Sequence, residues 1–241
     1  MKENYIAIFD SGIGGLTVLN DLSRYMPYQN FIYIGDNKNT PYGNLSDEKL
    51  LRLSMDCLSV LNGYNVKAVI LGCNTLSVSI RARLQQYFNC PVFGVFPPVE
   101  TAIVKKERVL LLATPRTIER YSSYENLTKL ALPYLAKDIE ENVMQLNKIS
   151  FKNHLPQKFL DNHTFNRVIL GCTHYNFIKN QISDHFCPAK IDFGNHFTSN
   201  FVSNFFKNKK TLENCYKNSI LFLGENACKN EKIYFQVVKK F

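Results

Sequence analysis

Short apolar runs alternate along this chain with stretches in which apolar residues recur every three or four positions. Tyr5–Phe9 is an apolar run, and Gly14–Tyr25 follows it with Leu16, Leu19 and Leu22 on one helical face that Met26 extends. A strand covered on both faces reads as continuous apolar sequence, and a helix packed on it shows the 3.6-residue period. The same reading predicts a strand at Phe31–Ile34, a helix over Asp47–Leu61 with Ser46 as its N-cap, and a strand at Val69–Leu71. A helix over Leu76–Phe88 and a strand at Pro91–Phe96 complete this series, which Pro97-Pro98 interrupts. A second series begins with a strand at Val109–Ala113 and a helix over Thr117–Leu130, then a less regular stretch with helical segments over 131–163. A strand at Val168–Leu170, a helix over Tyr175–Phe186 and a short strand at Ile191–Phe193 follow. Residues 195–207 read as helix, Ile220–Leu223 as strand and the last dozen residues as helix. Alternation of this kind implies parallel sheets with right-handed crossovers.

The pentapeptide Val-Ile-Leu-Gly-Cys occurs twice, at Val69–Cys73 and at Val168–Cys172. Each copy is a buried-strand pattern ending in a cysteine, and small hydrogen-bonding residues follow at once: Asn74-Thr75 after the first, Thr173-His174 after the second. The two series also share a rhythm of strands and helices around the repeat. The expected fold class is therefore α/β, with two pseudo-symmetric α/β domains whose mostly parallel sheets face a central cleft. The first domain is expected to comprise residues 1–98 plus 208–241, and the second residues 99–207. Open α/β sheets place their chemistry at the carboxyl ends of strands, which is where both cysteines fall.

Composition narrows the function. The 241 residues carry 29 Lys and Arg against 20 Asp and Glu, a formal charge of +9. Twenty-one of the basic residues are Lys, scattered along the chain, and the densest cluster is only Lys207, Lys209 and Lys210. No helix-turn-helix or aromatic-basic pattern accompanies them, so nucleic acid is not an expected partner. No segment approaches the roughly 20 apolar residues of a membrane span. Met1-Lys2-Glu3-Asn4 leads into a strand without an apolar leader, so a cytoplasmic protein is expected. Seven cysteines, an odd number, without Cys-x-x-Cys or zinc spacing argue against a disulfide framework and a structural metal. Cys57, Cys90, Cys187, Cys215 and Cys228 read as small buried apolar residues. Cys73 and Cys172 stand apart through their repeated context.

The turn Phe9-Asp10-Ser11-Gly12-Ile13-Gly14-Gly15 leaves a strand and enters a helix. Its glycines allow close backbone approach, and its free N–H groups favour an anion, a small carboxylate rather than a dinucleotide, because the third glycine of Gly-x-Gly-x-x-Gly is out of place. Neither a phosphate-loop lysine nor a sign of pyridoxal phosphate is present, so no cofactor is expected. A helix N-terminus favours the thiolate at Cys73 and Cys172. Asp10 should lie beside Cys73 if the first and third strands are neighbours, and His174 follows Cys172 by two residues; either can orient a thiol or carry its proton. Taken singly, Asp10 reads as a turn residue capping the next helix and His174 as a hydrogen-bonded loop histidine; only their pairing with the cysteines favours the functional reading. Two thiols on opposite faces of one molecule suit inversion at carbon, one removing an α-proton and the other returning one. Reactive approach distances place the sulfurs roughly 7 Å apart across the substrate. Asn74, Thr75 and Thr173, with helix N–H groups, can steady the carbanion through the substrate carboxylate.

Four segments, Phe9–Gly15, Gly35-Asp36 with Pro41-Tyr42-Gly43, Cys73-Asn74-Thr75 and Gly171-Cys172-Thr173-His174-Tyr175, together resemble bacterial glutamate racemases in order and spacing, over nearly the whole chain. The resemblance implies cofactor-independent interconversion of L- and D-glutamate, supplying D-glutamate for peptidoglycan, in a homodimer. It implies Cys73 and Cys172 as the catalytic thiols, acting on the D- and L-enantiomer respectively, with Asp10 and His174 assisting. Asp10, Ser11, Tyr42, Gly43, Asn74, Thr75, Thr173 and His174 would contact substrate, and an assisting carboxylate would be Glu140 or Glu141. Leu76 after Cys-Asn-Thr, Asn39 before Pro-Tyr-Gly and Phe96-Pro97-Pro98 depart from the family pattern, and the C-terminus is short. Aspartate and other acidic amino-acid racemases share the scaffold, and a non-catalytic binding protein on it is a further alternative.

Overall fold

A computed structural model of the protein describes residues 4–160, 164–207 and 219–240. Lys209, Lys210 and Cys215, noted above, lie outside the described residues. The first sheet begins with β1 (Tyr5–Asp10), whose six residues are all buried, so the apolar run is a central strand. After α1 (Gly15–Tyr25) come β2 (Asn30–Gly35), α2 (Asp47–Leu58), β3 (Val66–Leu71), α3 (Asn74–Gln85) and β4 (Val92–Gly94). Ser46 caps α2 as expected: its hydroxyl accepts the Lys49 N–H, and Asp47 and Glu48 occupy the positive first turn.

The short α4 (Val99–Ile103) leads to the second series: β5 (Val109–Ala113), α5 (Pro115–Glu119), β6 (Leu127–Ala131), α6 (Leu135–Asn142) and β7 (Arg167–Gly171). A 3-10 turn over Thr173–Ile178 continues as α7 (Lys179–His185), followed by β8 (Lys190–Phe193) and α8 (Asn195–Lys207). The chain then returns through β9 (Ile220–Leu223) and α9 (Ala227–Gln236). One predicted element is corrected. The helix over Thr117–Leu130 stops at Glu119, and Leu127–Ala131 forms a strand in which Leu127 and Leu130 are buried, on opposite faces, and Thr128 is exposed. Parallel pairing along β5 supplies the backbone partners that a solvent-facing helix would otherwise have made internally.

The strand order is β4-β3-β1-β2-β9 in one sheet and β6-β5-β7-β8 in the other, with every pairing parallel. Read from the repeat, β8-β7-β5-β6 reproduces β4-β3-β1-β2, so the two halves are the same unit. Ile6 and Ile8 face a core that also takes Leu110, Leu112, Val168 and Leu170 of the second sheet, making one apolar body that joins the halves. Tyr5, Ala7 and Phe9 point the other way, into a core closed by Leu50 and Leu53 of α2 and Leu76, Ile80 and Leu84 of α3. Of the five cysteines read as buried, Cys57 and Cys90 are partly covered and Cys187 and Cys228 are exposed. Among the described residues, no helix is long and apolar enough to cross a membrane.

Candidate active site

Both repeated cysteines cap the helical turn that follows their strand, Cys73 before α3 and Cys172 before the 3-10 turn. They line one cavity, together with Ser11, Tyr42, Gly43, Asn74, Thr75 and His174 from the predicted set. The remaining two predicted residues lie behind it: Asp10 is fully buried, and Thr173 donates to Asp10 Oδ2 at 3.4 Å. The cavity holds only about 10 Å³ of free space, room for about one water.

The two thiols have different neighbours. Cys73 Sγ receives the Ser11 hydroxyl at 3.6 Å, and β1 and β3 are adjacent, which sets Asp10 near it. Burial pushes the Cys73 thiol up to about 12; the Asp10 carboxylate adds to the rise, and the Leu76 N–H and Ser11 hydroxyl oppose it. The expectation that the helix N-terminus would favour a thiolate is therefore reversed at Cys73, because desolvation outweighs one N–H contact. Burial likewise raises Asp10, against the opposing His174 charge and the Gly12 N–H that donates to Oδ1 at 2.8 Å.

On the other side, Cys172 Sγ lies 3.8 Å from His174 Nδ1, and His174 Nε2 lies 2.8 Å from Glu140 Oε2. Burial works against a charge on His174, but the Cys172 sulfur and the Glu140 carboxylate hold its pKa well above the ordinary value. Burial also opposes the charge on Glu140, yet hydrogen bonds from His174, Asn37 and the Ile13 N–H keep its pKa low. The pair is thus an imidazolium–carboxylate couple directed at one sulfur. α6 separates the two candidate carboxylates: Glu140 joins Ala136 and Ile139 on its buried face, while Glu141 is exposed and pairs with Lys137 at 3.8 Å.

The glycine-rich turn, expected to hold a small carboxylate ligand, donates its Ile13 N–H instead to the protein's own Glu140, to Oε2 at 2.9 Å. Glycine is required because the turn presses against the other half of the molecule. A Cβ on Gly12 would sit 2.4 Å from Glu140 Oε2, and one on Gly14 would sit 2.4 Å from Thr173 Oγ1 and 2.8 Å from His174 Nδ1. Gly14→Ala is expected to cost about 1–3 kcal/mol of stability by overpacking, and to lower kcat/KM by displacing His174. Thermal denaturation and steady-state kinetics of the variant check this.

Sequence reasoning missed Thr114, which lines the cavity and shares a hydroxyl hydrogen bond with Thr75 at 3.0 Å. The repeat carried its signal. β1 pairs Phe9 with Leu71 and β5 pairs Leu112 with Leu170, so two residues further on Thr114 is the counterpart of Ser11. Pro41 and Ala136 complete the lining. Among the described residues, no group of three or more His, Cys, Asp or Glu side chains is placed to hold a metal ion.

No model of a known protein family matches the chain. A glutamate racemase from Clostridium acetobutylicum is 35% identical over 197 residues, covering 76% of this chain and 76% of that protein. The chain belongs to the glutamate racemase family. The glutamate racemase of Campylobacter jejuni has the same fold, with a TM-score of 0.80 over 97% of this chain and 98% of that one, at 22% identity. That of Francisella tularensis, solved in complex with D-glutamate, superposes with a TM-score of 0.77 over 98% and 95% of the two chains, at 24% identity. These structures have the two-sheet α/β architecture described above. None of the residues that depart from the glutamate racemase pattern lines the cavity between the thiols. Leu76 is buried in the core under α3. Asn39 donates to both oxygens of Asp36, which also accepts the Tyr42 hydroxyl at 2.5 Å, so the loop carrying Tyr42 is tied to the end of β2. Phe96 is partly exposed, and the Pro97 carbonyl accepts the Tyr121 hydroxyl.

Proposed function

We propose that this racemase-family enzyme interconverts L- and D-glutamate without a cofactor, with Cys73 and Cys172 as the two proton-transfer thiols, and supplies D-glutamate for peptidoglycan. One observation carries the reading: two thiols at equivalent strand ends line the same cavity, Cys73 beside the Ser11 hydroxyl and Cys172 beside the His174 imidazole. Cys172, reacting as the thiolate opposite the His174 imidazolium, takes the α-proton of the L-enantiomer; the electron pair of the Cα–H bond stays on Cα, conjugated with the carboxylate. Cys73, which burial keeps as a thiol, then gives its proton to the opposite face. The products are D-glutamate, a Cys73 thiolate and a Cys172 thiol, the starting point of the reverse reaction. Hydroxyl and amide groups of Thr75, Thr114 and Asn74, with the N–H groups opening α3, stabilise the charge on the carboxylate in a buried site.

A cavity of about 10 Å³ cannot hold an amino acid, so substrate binds when the two halves part and reacts when they close. Circular dichroism tests the substrate: the signal of L-glutamate is expected to decay to zero without added cofactor, with deuterium appearing at Cα in deuterated water, and L-aspartate to decay far more slowly. Faster decay of L-aspartate would reassign the substrate, and no decay or exchange with either would sink the reading.

A further inference from the structure

The Glu140 carboxylate is held from two sides. Its Oε2 faces inward, to His174 Nε2 at 2.8 Å and the Ile13 N–H at 2.9 Å. Its Oε1 faces outward, accepting from Asn37 Nδ2 at 2.5 Å and lying 3.6 Å from Lys229 Nζ on α9. These two outer partners stand at the edge of a second cavity, of about 430 Å³, separate from the one between the thiols. Lys38, Lys137, Glu141 and Lys232 also line it, and Asp10 and Tyr33 approach Glu140 from within. Lys137 is paired with Glu141 and Lys38 with Glu225 at 3.5 Å, which leaves Lys229 as the ammonium in contact with Glu140.

We infer that Lys229 is a positioning residue for racemisation: from the C-terminal helix it fixes the charge of Glu140, and through Glu140 the proton of His174 beside Cys172. The inference rests on the function proposed above. A carboxylate ringed by donors on both oxygens is held as the anion. Without the ammonium on its outer oxygen, Glu140 becomes more basic and competes for the Nε2 proton of His174. A neutral Glu140–His174 pair then faces Cys172, and the proton transfers on that side lose their cation. Lys229 is half exposed, so water screens the contact and the effect is bounded.

The test compares wild type, Lys229→Met and Lys229→Arg through the pH dependence of kcat/KM and the ¹⁵N NMR titration of the His174 ring. Lys229→Met is expected to move the acid limb to higher pH, with a loss of about three- to fivefold in kcat/KM on that limb. The His174 titration should change with it, and Lys229→Arg should restore both. A purely structural role would instead lower the melting temperature while leaving the limb and the ring titration in place, and that result overturns the inference. So does an equal shift in the Met and Arg variants. If wild type racemises no acidic amino acid, the function falls, while the NMR comparison still decides whether Lys229 sets the proton on His174. Should Lys229→Met fail to fold, Lys229→Gln takes its place under the same criteria.

Discussion

Cys73→Ala and Cys172→Ala are each expected to remove racemisation in both directions, with kcat/KM lower by at least about 10³-fold, within the range for loss of a positioned acid or base. Either change is decisive because inversion needs an abstraction on one face and a delivery on the other; a single remaining thiol can only return the proton to the face it came from. The same logic makes the two variants distinguishable. With Cys73→Ala, Cys172 is expected still to exchange the α-proton of L-glutamate with deuterated water while exchange from D-glutamate disappears, and Cys172→Ala is expected to show the converse. Both cysteines are nearly buried at strand ends, so removing a sulfur is expected to cost only about 1 kcal/mol and the fold persists. Equal residual exchange from both enantiomers in either variant would contradict the two-sided assignment, and retained racemisation would remove the thiols from the mechanism.

Glu140→Gln is expected to be nearly as damaging, with kcat/KM down by about 10²-fold or more, because the amide cannot balance the His174 imidazolium 2.8 Å away. Breaking a buried ion pair from one side costs about 3–5 kcal/mol where the remaining group stays charged, and less where it can become neutral, as histidine can. The pH dependence follows from the directions of the two shifts. Glu140 is lowered in the folded protein, so its stabilisation is present above its ordinary 4.5 and fades as pH falls through the depressed value. His174 is raised, so its share is complete below its ordinary 6.5 and fades as pH rises through the elevated value. The difference in melting temperature between wild type and Glu140→Gln should therefore be widest between 4.5 and 6.5. A difference independent of pH would mean that the couple is not ionised.

Much of this architecture is legible in the sequence, for identifiable reasons. The repeated pentapeptide marks β3 and β7, and their apolar runs read plainly because both faces of each sheet are covered. β6 does not read as a strand because Leu-Thr-Lys-Leu-Ala is equally good helical sequence; its pairing with β5, a tertiary effect, decides the matter. Glu140 cannot be told from Glu141 without the start of α6, but once that is known the spacing from Ala136 puts Glu140 on the buried stripe. The acidity of Cys73 is misjudged because a helix N-terminus can be seen in sequence and the depth of burial cannot. Lys229 is 55 residues from His174, and only the return of β9 to the first sheet brings α9 beside Glu140.

The shut cleft has a consequence for the chemistry of the sulfurs themselves. Cys73 and Cys172 are only 7% and 8% exposed, so an alkylating reagent is expected to reach either sulfur only through the opening proposed for substrate entry. Inactivation by such reagents would then report how often the molecule breathes, rather than how nucleophilic its thiols are.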